Sequence, residues 1–234
     1  MMKLRKTILI TGNRKGIGRY LSEYYLERDY NIIGCSRSET DLQHKNYFHF
    51  ICDVSQEAQV VKTVKAGIKR FGKIDILINN AGKASLNHSL LTPVSTVRDL
   101  FDTNYLGSFL FSRECSKKMI KHRWGRIINF STIAVPLNLE GEMAYSSSKS
   151  AIEKMSSILS KELSAYNITV NTIGPTPIFT DLIKVVPKDK VNEILNKQTF
   201  KRFGEYNDVS NVIDFFISEN SSFITGQKIY LGGL

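Results

Sequence analysis

Four residues in the middle of the chain have types and spacing that could move a proton. Tyr145 and Lys149 stand four positions apart, so on a helix they share one face. A phenol with its ordinary pKa near 10 is a poor acid or base at neutral pH. An ammonium one helical turn away stabilises the phenolate and brings the group toward the working range. Thr132 lies thirteen residues before Tyr145, just after an apolar run, where its hydroxyl could hold a substrate oxygen while Tyr145 exchanges a proton with it. Ser131 offers the same chemistry, but side chains alternate along a strand, so only one of the two neighbours can face the substrate. A tyrosine and a lysine at this spacing are common in any sequence; the pair gains weight from what precedes it.

What precedes it is a glycine-rich turn, Gly12-Asn13-Arg14-Lys15-Gly16-Ile17-Gly18, between an apolar run and a helical pattern. Glycines allow a tight turn and close approach of the backbone, and the free N–H groups and dipole of the helix start favour a pyrophosphate. The spacing GxxxGxG differs from the commoner GxGxxG, and such a turn by itself is also consistent with an ordinary loop. After the second apolar run come Ser36 and Arg37, where a nucleotide site would meet the adenosine ribose. No carboxylate stands there before Glu39, whereas Arg37, with Arg14 and Lys15 nearby, suits a 2′-phosphate, which points to NADP(H). The plainer reading of Arg37 is one more surface base in a basic protein.

Asp53 and Val54 follow the third run. The carboxylate could accept the adenine amino group while the valine covers the ring, or Asp53 could cap the helix that begins nearby. Asn79, Asn80, Ala81 and Gly82 follow the fourth run; small residues and amides there let a cofactor pass close to the backbone, or form a simple turn.

The elements that must position these groups are legible as alternation. Apolar or β-branched runs at Thr7 to Thr11, Asn31 to Cys35, Tyr47 to Ile51, Ile74 to Ile78, Arg126 to Phe130, Ile168 to Ile173 and Lys228 to Leu231 are separated by helix-patterned segments. Most runs are apolar at consecutive positions, as expected of strands covered on both faces. Between the first two, Ile17, Tyr20, Leu21, Tyr24 and Tyr25 form a stripe at helical spacing. Segments 55–71, 97–121, 142–166, 180–198 and 207–219 also read as helical, the fourth interrupted by Pro187. The serines 146–148 read as small-residue helix surface suited to close packing. This predicts an α/β fold: one Rossmann-type domain over residues 1–234, a doubly wound parallel sheet of about seven strands flanked by helices.

Composition narrows the function classes. A chain of 234 residues with 42% hydrophobic content can bury one sizeable core. No stretch reaches the roughly 18 consecutive apolar residues of a membrane span, and the run after Lys3, Arg5 and Lys6 is too short for a secretory signal, so a soluble cytoplasmic protein with no membrane partner is expected. Cys35, Cys52 and Cys115 show no CxxC spacing, which suggests neither a metal site nor a disulfide framework; Cys35 and Cys52 read as small buried hydrophobes. The net charge of +10 raises the possibility of nucleic acid, but the bases are spread along the chain without a recognition motif, and the densest group, Lys117, Lys118, Lys121, Arg123 and Arg126, reads as the solvated end of a helix. No nucleic-acid partner is expected, while an anionic small molecule or carrier is compatible with the charge.

Taken in order, these features resemble the short-chain dehydrogenase/reductase family over essentially the whole chain. The matching elements are TGxxxGIG at Thr11 to Gly18, Asp53-Val54, Asn79 to Gly82, Asn104 within Asn-Tyr-Leu-Gly, Thr132/Tyr145/Lys149, Pro175 to Thr180, and Ile224-Thr225-Gly226-Gln227 with Gly232-Gly233. The resemblance implies a catalytic tetrad of Asn104, Thr132, Tyr145 and Lys149 and hydride transfer between NADP(H) and a carbonyl or secondary alcohol. Tyr145 would be the acid in reduction, Lys149 would also bind the nicotinamide ribose, and Asn104 would hold a relay water. Pro175, Ile178 and Thr180 would join the cofactor site, the last two at its carboxamide end. A substrate lid is implied near residues 180–200, where Leu182, Ile183, Val185 and Val186 suggest an apolar wall, or equally core packing.

Two departures are visible: Thr132 stands where the family usually has serine, and Pro175-Thr176-Pro177 where proline is commonly followed by glycine. Among branches, the chain is most similar to the 3-oxoacyl-carrier-protein reductases. Arg123 matches a base that branch uses toward its acidic carrier, but its other docking base is Tyr166 here. Sugar, polyol, steroid or secondary-metabolite carbonyls are alternative substrates, because fold and tetrad do not select substrate. A homodimer or homotetramer through residues 97–121 and 142–166 is implied. The competing classes are an idle nucleotide-sensing or scaffold protein and a basic nucleic-acid binder.

Overall fold

The computed structural model describes residues 5–184 and 186–233, without the side chain of Leu182. Its strands are β1 (Thr7–Thr11), β2 (Asn31–Ser36), β3 (Tyr47–Ile51), β4 (Ile76–Asn79), β5 (Gly125–Phe130), β6 (Ile168–Gly174) and β7 (Lys228–Tyr230). All join one parallel sheet in the order β3-β2-β1-β4-β5-β6-β7. Each expected run is a strand, shifted by at most two residues at an end. β1, β4, β5 and β6 are buried at every position, whereas the edge strands β3 and β7 are only partly so, which is why the central runs are apolar without alternation.

The helices are α1 (Gly16–Leu26), α2 (Glu57–Phe71), α3 (Val94–Leu100), α4 (Gly107–His122), α5 (Ala134–Leu137), α6 (Met143–Leu163), α7 (Asp181–Lys184), α8 (Lys188–Lys197) and α9 (Tyr206–Ile217). The pleat sends Ile8 and Ile10 of β1 to one face, where Leu21 and Tyr25 of α1 and Ile213 and Phe216 of α9 meet them. Leu9 goes to the other face, with Val60 and Val64 of α2, Phe111 and Met119 of α4 and Leu163 of α6. Each aliphatic chain so buried contributes roughly 1.5–3 kcal/mol. The stripe read on α1 is therefore a packing stripe.

Two helical readings are refined and one expectation, for Arg126, is corrected. Residues 97–121 are helical throughout, and within them α3 passes into a π-helical turn, Phe101–Leu106, before α4. The wider turn rotates Asn104 inward until it is fully buried. Residues 180–198 form two helices, with Pro187 at the N-cap of α8 because proline fits a helix start and not its interior. Arg126 is no solvated base: it is 1% exposed on β5, its guanidinium 4.5 Å from the centre of the Trp124 ring. Cys35 and Cys52 are buried as expected. Among the described residues no helix is long and apolar enough to cross a membrane, and no cluster of potential metal ligands occurs.

Candidate active site

The chain runs β1 to β3 toward one edge of the sheet and returns to place β4 on the other side of β1, so the connections leaving β1 and β4 part company. A crevice opens where they separate. It is a cavity of about 620 Å³, walled by the segments that follow six of the strands.

At one end of the crevice lies the glycine-rich turn. Gly12 has φ +68°, and a Cβ there would sit 2.7 Å from the Ala81 Cα, so only glycine lets the β1 turn pass the β4 turn. Asn80 ties the two together, its Nδ2 donating to the carbonyls of Thr11 (2.9 Å) and Gly12 (3.2 Å). Gly12, Arg14, Lys15, Gly16 and Ile17 line the cavity, as do Ser36, Arg37, Asp53, Val54, Asn80, Ala81 and Gly82. Asn13 and Gly18 do not reach the lining. Asn13 is fully buried beneath the turn and donates to the Tyr47 hydroxyl at 2.6 Å, while a Cβ on Gly18 would meet the Gly12 carbonyl at 2.5 Å. Both shape the turn from behind. Asp53 accepts from the backbone N–H and hydroxyl of Ser55 (3.0 and 2.7 Å). It stands three residues before the N-cap Gln56 of α2, so it braces the loop without capping the helix, and it also faces the cavity.

Farther along lie Thr132, Tyr145 and Lys149, together with Pro175 and Ile178, while Thr180 reaches the glycine-rich turn, its Cγ2 3.6 Å from where a Cβ on Gly16 would stand. α6 runs beneath them. The Lys149 ammonium donates to the Phe130 carbonyl at 2.9 Å, and a Cβ on Gly82 would stand 3.3 Å from both Lys149 Nζ and Asn104 Oδ1, so these groups converge at that glycine. The two hydroxyls at the end of β5 have separate surroundings: Ser131 donates to the buried Glu153 carboxylate, whereas Thr132 accepts from the Ala134 N–H at 3.3 Å and stands near enough to Tyr145 to favour its phenolate. Thr132 is thus the hydroxyl beside the tyrosine.

Asn104 lies behind the cavity wall. Its Oδ1 accepts from the Lys83 N–H (2.8 Å), and its Nδ2 donates to the Lys83 carbonyl (3.0 Å) and the Ser148 hydroxyl (2.9 Å). Ser148, read as helix surface, is instead fully buried and pins this amide to α6. Among the lid residues Ile183, Val186 and Ile194 line the cavity. The side chain of Leu182, Val185 and the N-terminal Lys3 lie outside the described residues.

The electrostatics correct one expectation. Tyr145 is not acidified: burial pushes its phenol up to about 12, and the Glu142 carboxyl adds to this, against the opposing hydrogen bond from Thr132. Burial also moves Lys149 down to about 8. Loss of hydration opposes both charged forms and outweighs the ammonium one turn away.

Sequence reading missed Glu142, which lines the cavity one turn before Tyr145. Burial raises its carboxyl from the ordinary 4.5 to about 7. Its place three residues before Tyr145 was the available signal. Arg123, the match to a carrier-docking base, donates to the Ala165 carbonyl at 2.9 Å. It precedes β5, whose far end opens on the cavity, so it sits roughly 15–20 Å away along the strand direction within the same chain.

With this geometry in hand, similarity to known proteins is informative. Residues 6–191 match the family model for short chain dehydrogenases. The 3-oxoacyl-(acyl-carrier-protein) reductase FabG of Staphylococcus epidermidis is 28% identical, the alignment covering 98% of each chain. That of Buchnera aphidicola is 31% identical over 98% of this chain and 96% of its own. The solved structure of ElxO with NADP bound superposes with a TM-score of 0.89 at 28% identity, covering 97% of both chains. A nucleotide-type crevice ending in a Thr, Tyr and Lys cluster and a family match across most of the sequence agree: this chain belongs to the short-chain dehydrogenase family of oxidoreductases.

Proposed function

We propose that the protein is an NADP(H)-dependent reductase of a carbonyl group, with the cofactor lying along the crevice from the glycine-rich turn to Lys149. The observation that carries this reading is that Thr132, Tyr145 and Lys149 converge on the same cavity that Arg14, Lys15 and Arg37 line at its other end. The residues fit such a group: Gly12 lets the turn lie against Ala81, Gly82 leaves room for Asn104 and Lys149 to converge, and Ser36 and Arg37, with no carboxylate at the end of β2, suit a ribose phosphate. ElxO, similar in fold and sequence, is a structure with NADP bound.

When bound, NADPH supplies the hydride. The chain's own part is to orient and to move a proton. Thr132 holds the carbonyl oxygen beside Tyr145, and Tyr145, protonated at neutral pH because of its burial, donates its proton as that oxygen gains charge. Lys149, hydrogen-bonded to the Phe130 carbonyl and with a pKa of about 8 still mostly protonated at neutral pH, holds its ammonium at the ribose end. Asn104 acts through Lys83 and Ser148 as a positioning residue. The segment 180–200, with Ile183, Val186 and Ile194 on the cavity wall, acts as the substrate lid.

A 3-oxoacyl thioester, carrier-bound or free, is the leading substrate, supported by the FabG relatives and the apolar lid. A sugar, polyol or secondary-metabolite carbonyl is the second reading, favoured by a carboxyl group, Glu142, in the substrate half of the cavity. A cytoplasmic homodimer or homotetramer through α4 and α6 belongs to the same proposal, with Ile158 of α6 half-exposed on the surface this would cover.

The test is NADPH oxidation, followed by absorbance, against β-ketoesters, diketones and quinones. Tyr145→Phe is expected to lower turnover by at least about 100-fold while NADPH binding stays within about threefold, the signature of a lost proton donor. Unchanged turnover in the variant refutes the assigned acid, and NADPH binding without turnover of any carbonyl favours an idle nucleotide sensor.

A further inference from the structure

We propose that Glu142 is a substrate-recognition residue and that the substrate carries a hydrogen-bond donor, an N–H or O–H, close to the carbonyl that is reduced. This deepens the reductase reading and rests on it. Glu142 stands at the N-cap of α6, three residues before Tyr145, so the two side chains share one face of the helix start. Both line the cavity. The Glu142 Oε2 is shut off from solvent and has no hydrogen-bond partner among the described residues.

All the other charged groups lining the cavity except Arg14 and Arg37 have partners in the fold. Lys15 pairs with Asp181 at 2.7 Å, Lys83 with Asp99, and Lys149 with the Phe130 carbonyl. Glu142 is different. Burial alone shifts its carboxyl, to about 7, with no partner to offset it. Native chains rarely leave a buried acceptor unmet, because each such group costs about 1–3 kcal/mol. Oε2 is closed off from the cavity as well, so the carboxyl meets a ligand through its other oxygen, and a carboxyl on the cavity lining that the fold gives no partner is completed by a donor on the ligand. Leu100, packed with Ala144 and Tyr145, and Ile183 and Ile194 of the lid segment add apolar surface to the same cavity. The ligand that fits both is amphipathic, its apolar body against the lid and its donor toward Glu142. A plain alkyl ketone fills only the apolar half.

The experiment uses the protein saturated with NADP⁺, so that a ketone binds without being reduced. The probes are matched pairs: an α-amido ketone and its N-methyl counterpart, and a β-hydroxy ketone and its methyl ether. Binding is read by calorimetry for the wild type, Glu142→Gln and Glu142→Leu. The wild type is expected to bind the donor-bearing member about 10-fold more tightly, the scale of one charge-assisted hydrogen bond. Glu142→Gln, which keeps an acceptor oxygen, retains part of this preference, and Glu142→Leu binds both members alike. Equal binding of the pair by the wild type, binding of neither, or a preference surviving in Glu142→Leu overturns the assignment. Replacing NADP⁺ by NADPH separates the two proposals. Discrimination without turnover defeats the reductase reading and leaves Glu142 assigned, whereas turnover without discrimination defeats Glu142 alone.

Discussion

Three ionisable side chains share the inner end of the crevice, and burial moves each toward its neutral form: Tyr145 up to about 12, Lys149 down to about 8, Glu142 up to about 7. The phenol therefore keeps its proton at neutral pH, which suits donation to a carbonyl oxygen more than abstraction from an alcohol. Glu142 has a consequence for stability. Between its ordinary 4.5 and about 7, the folded chain holds a proton that the unfolded chain has released, so stability falls as pH rises through that window and the full penalty applies above it. Glu142→Gln removes the penalty. The variant is expected to be more stable than wild type by about 1 kcal/mol at pH 8, the gap shrinking as pH is lowered toward 5. Urea unfolding at the two pH values checks this; a gap that does not change with pH would assign the effect to packing.

Among the elements, the strands were the easiest to read and the turns between helices the hardest. Runs such as Ile8-Leu9-Ile10 and Ile76-Leu77-Ile78 are apolar at every position because both faces of the sheet are covered, and that burial is written into consecutive residues. The π-helical turn at Phe101–Leu106 left no such mark: it contains neither glycine nor proline, and its Asn104 is held by Lys83 and by Ser148 of α6, partners far off in the chain. The glycine-rich turn lies between these cases. Its composition announced a turn, but the need for glycine at position 12 comes from Ala81, a residue on another strand connection. Gly12→Ala combines a strained positive φ with a backbone clash, and is expected to cost about 2–4 kcal/mol of stability and to weaken NADPH binding at least about tenfold. Chemical denaturation and a fluorescence titration measure the two effects; near-wild-type values for both would show that the β1 and β4 turns can move apart.

Over the whole molecule, the 32 lysines and arginines are distributed, and surface pairs such as Arg19 with Glu23 and Lys197 with Glu193, each worth little, are net neutral and leave the excess of +10 in place. Arg14, Lys15 and Arg37, from two separate segments, give the crevice lining its basic patch, with Lys15 paired to Asp181. If this patch reads the ribose phosphate, Arg37→Asp weakens NADPH by at least about 30-fold and NADH by less than about threefold, as expected for loss of a charged phosphate contact. Equal weakening of both, or wild-type protein that already binds NADH as tightly, removes the case for NADP(H). The linear order of residues determined the parallel α/β architecture, the turn that can hold a pyrophosphate, and the pairing of Tyr145 with Lys149, because each depends on neighbours within about one element. Only the tertiary structure decided that Thr132 and not Ser131 sits beside the phenol, that Asn104 is locked to Lys83 and Ser148, that Arg126 is buried, and that Glu142 lines the cavity with an unmet oxygen. Each of those rests on burial or on partners far away in the chain, and hydration lost on folding is a property of the assembled packing that no local spacing records.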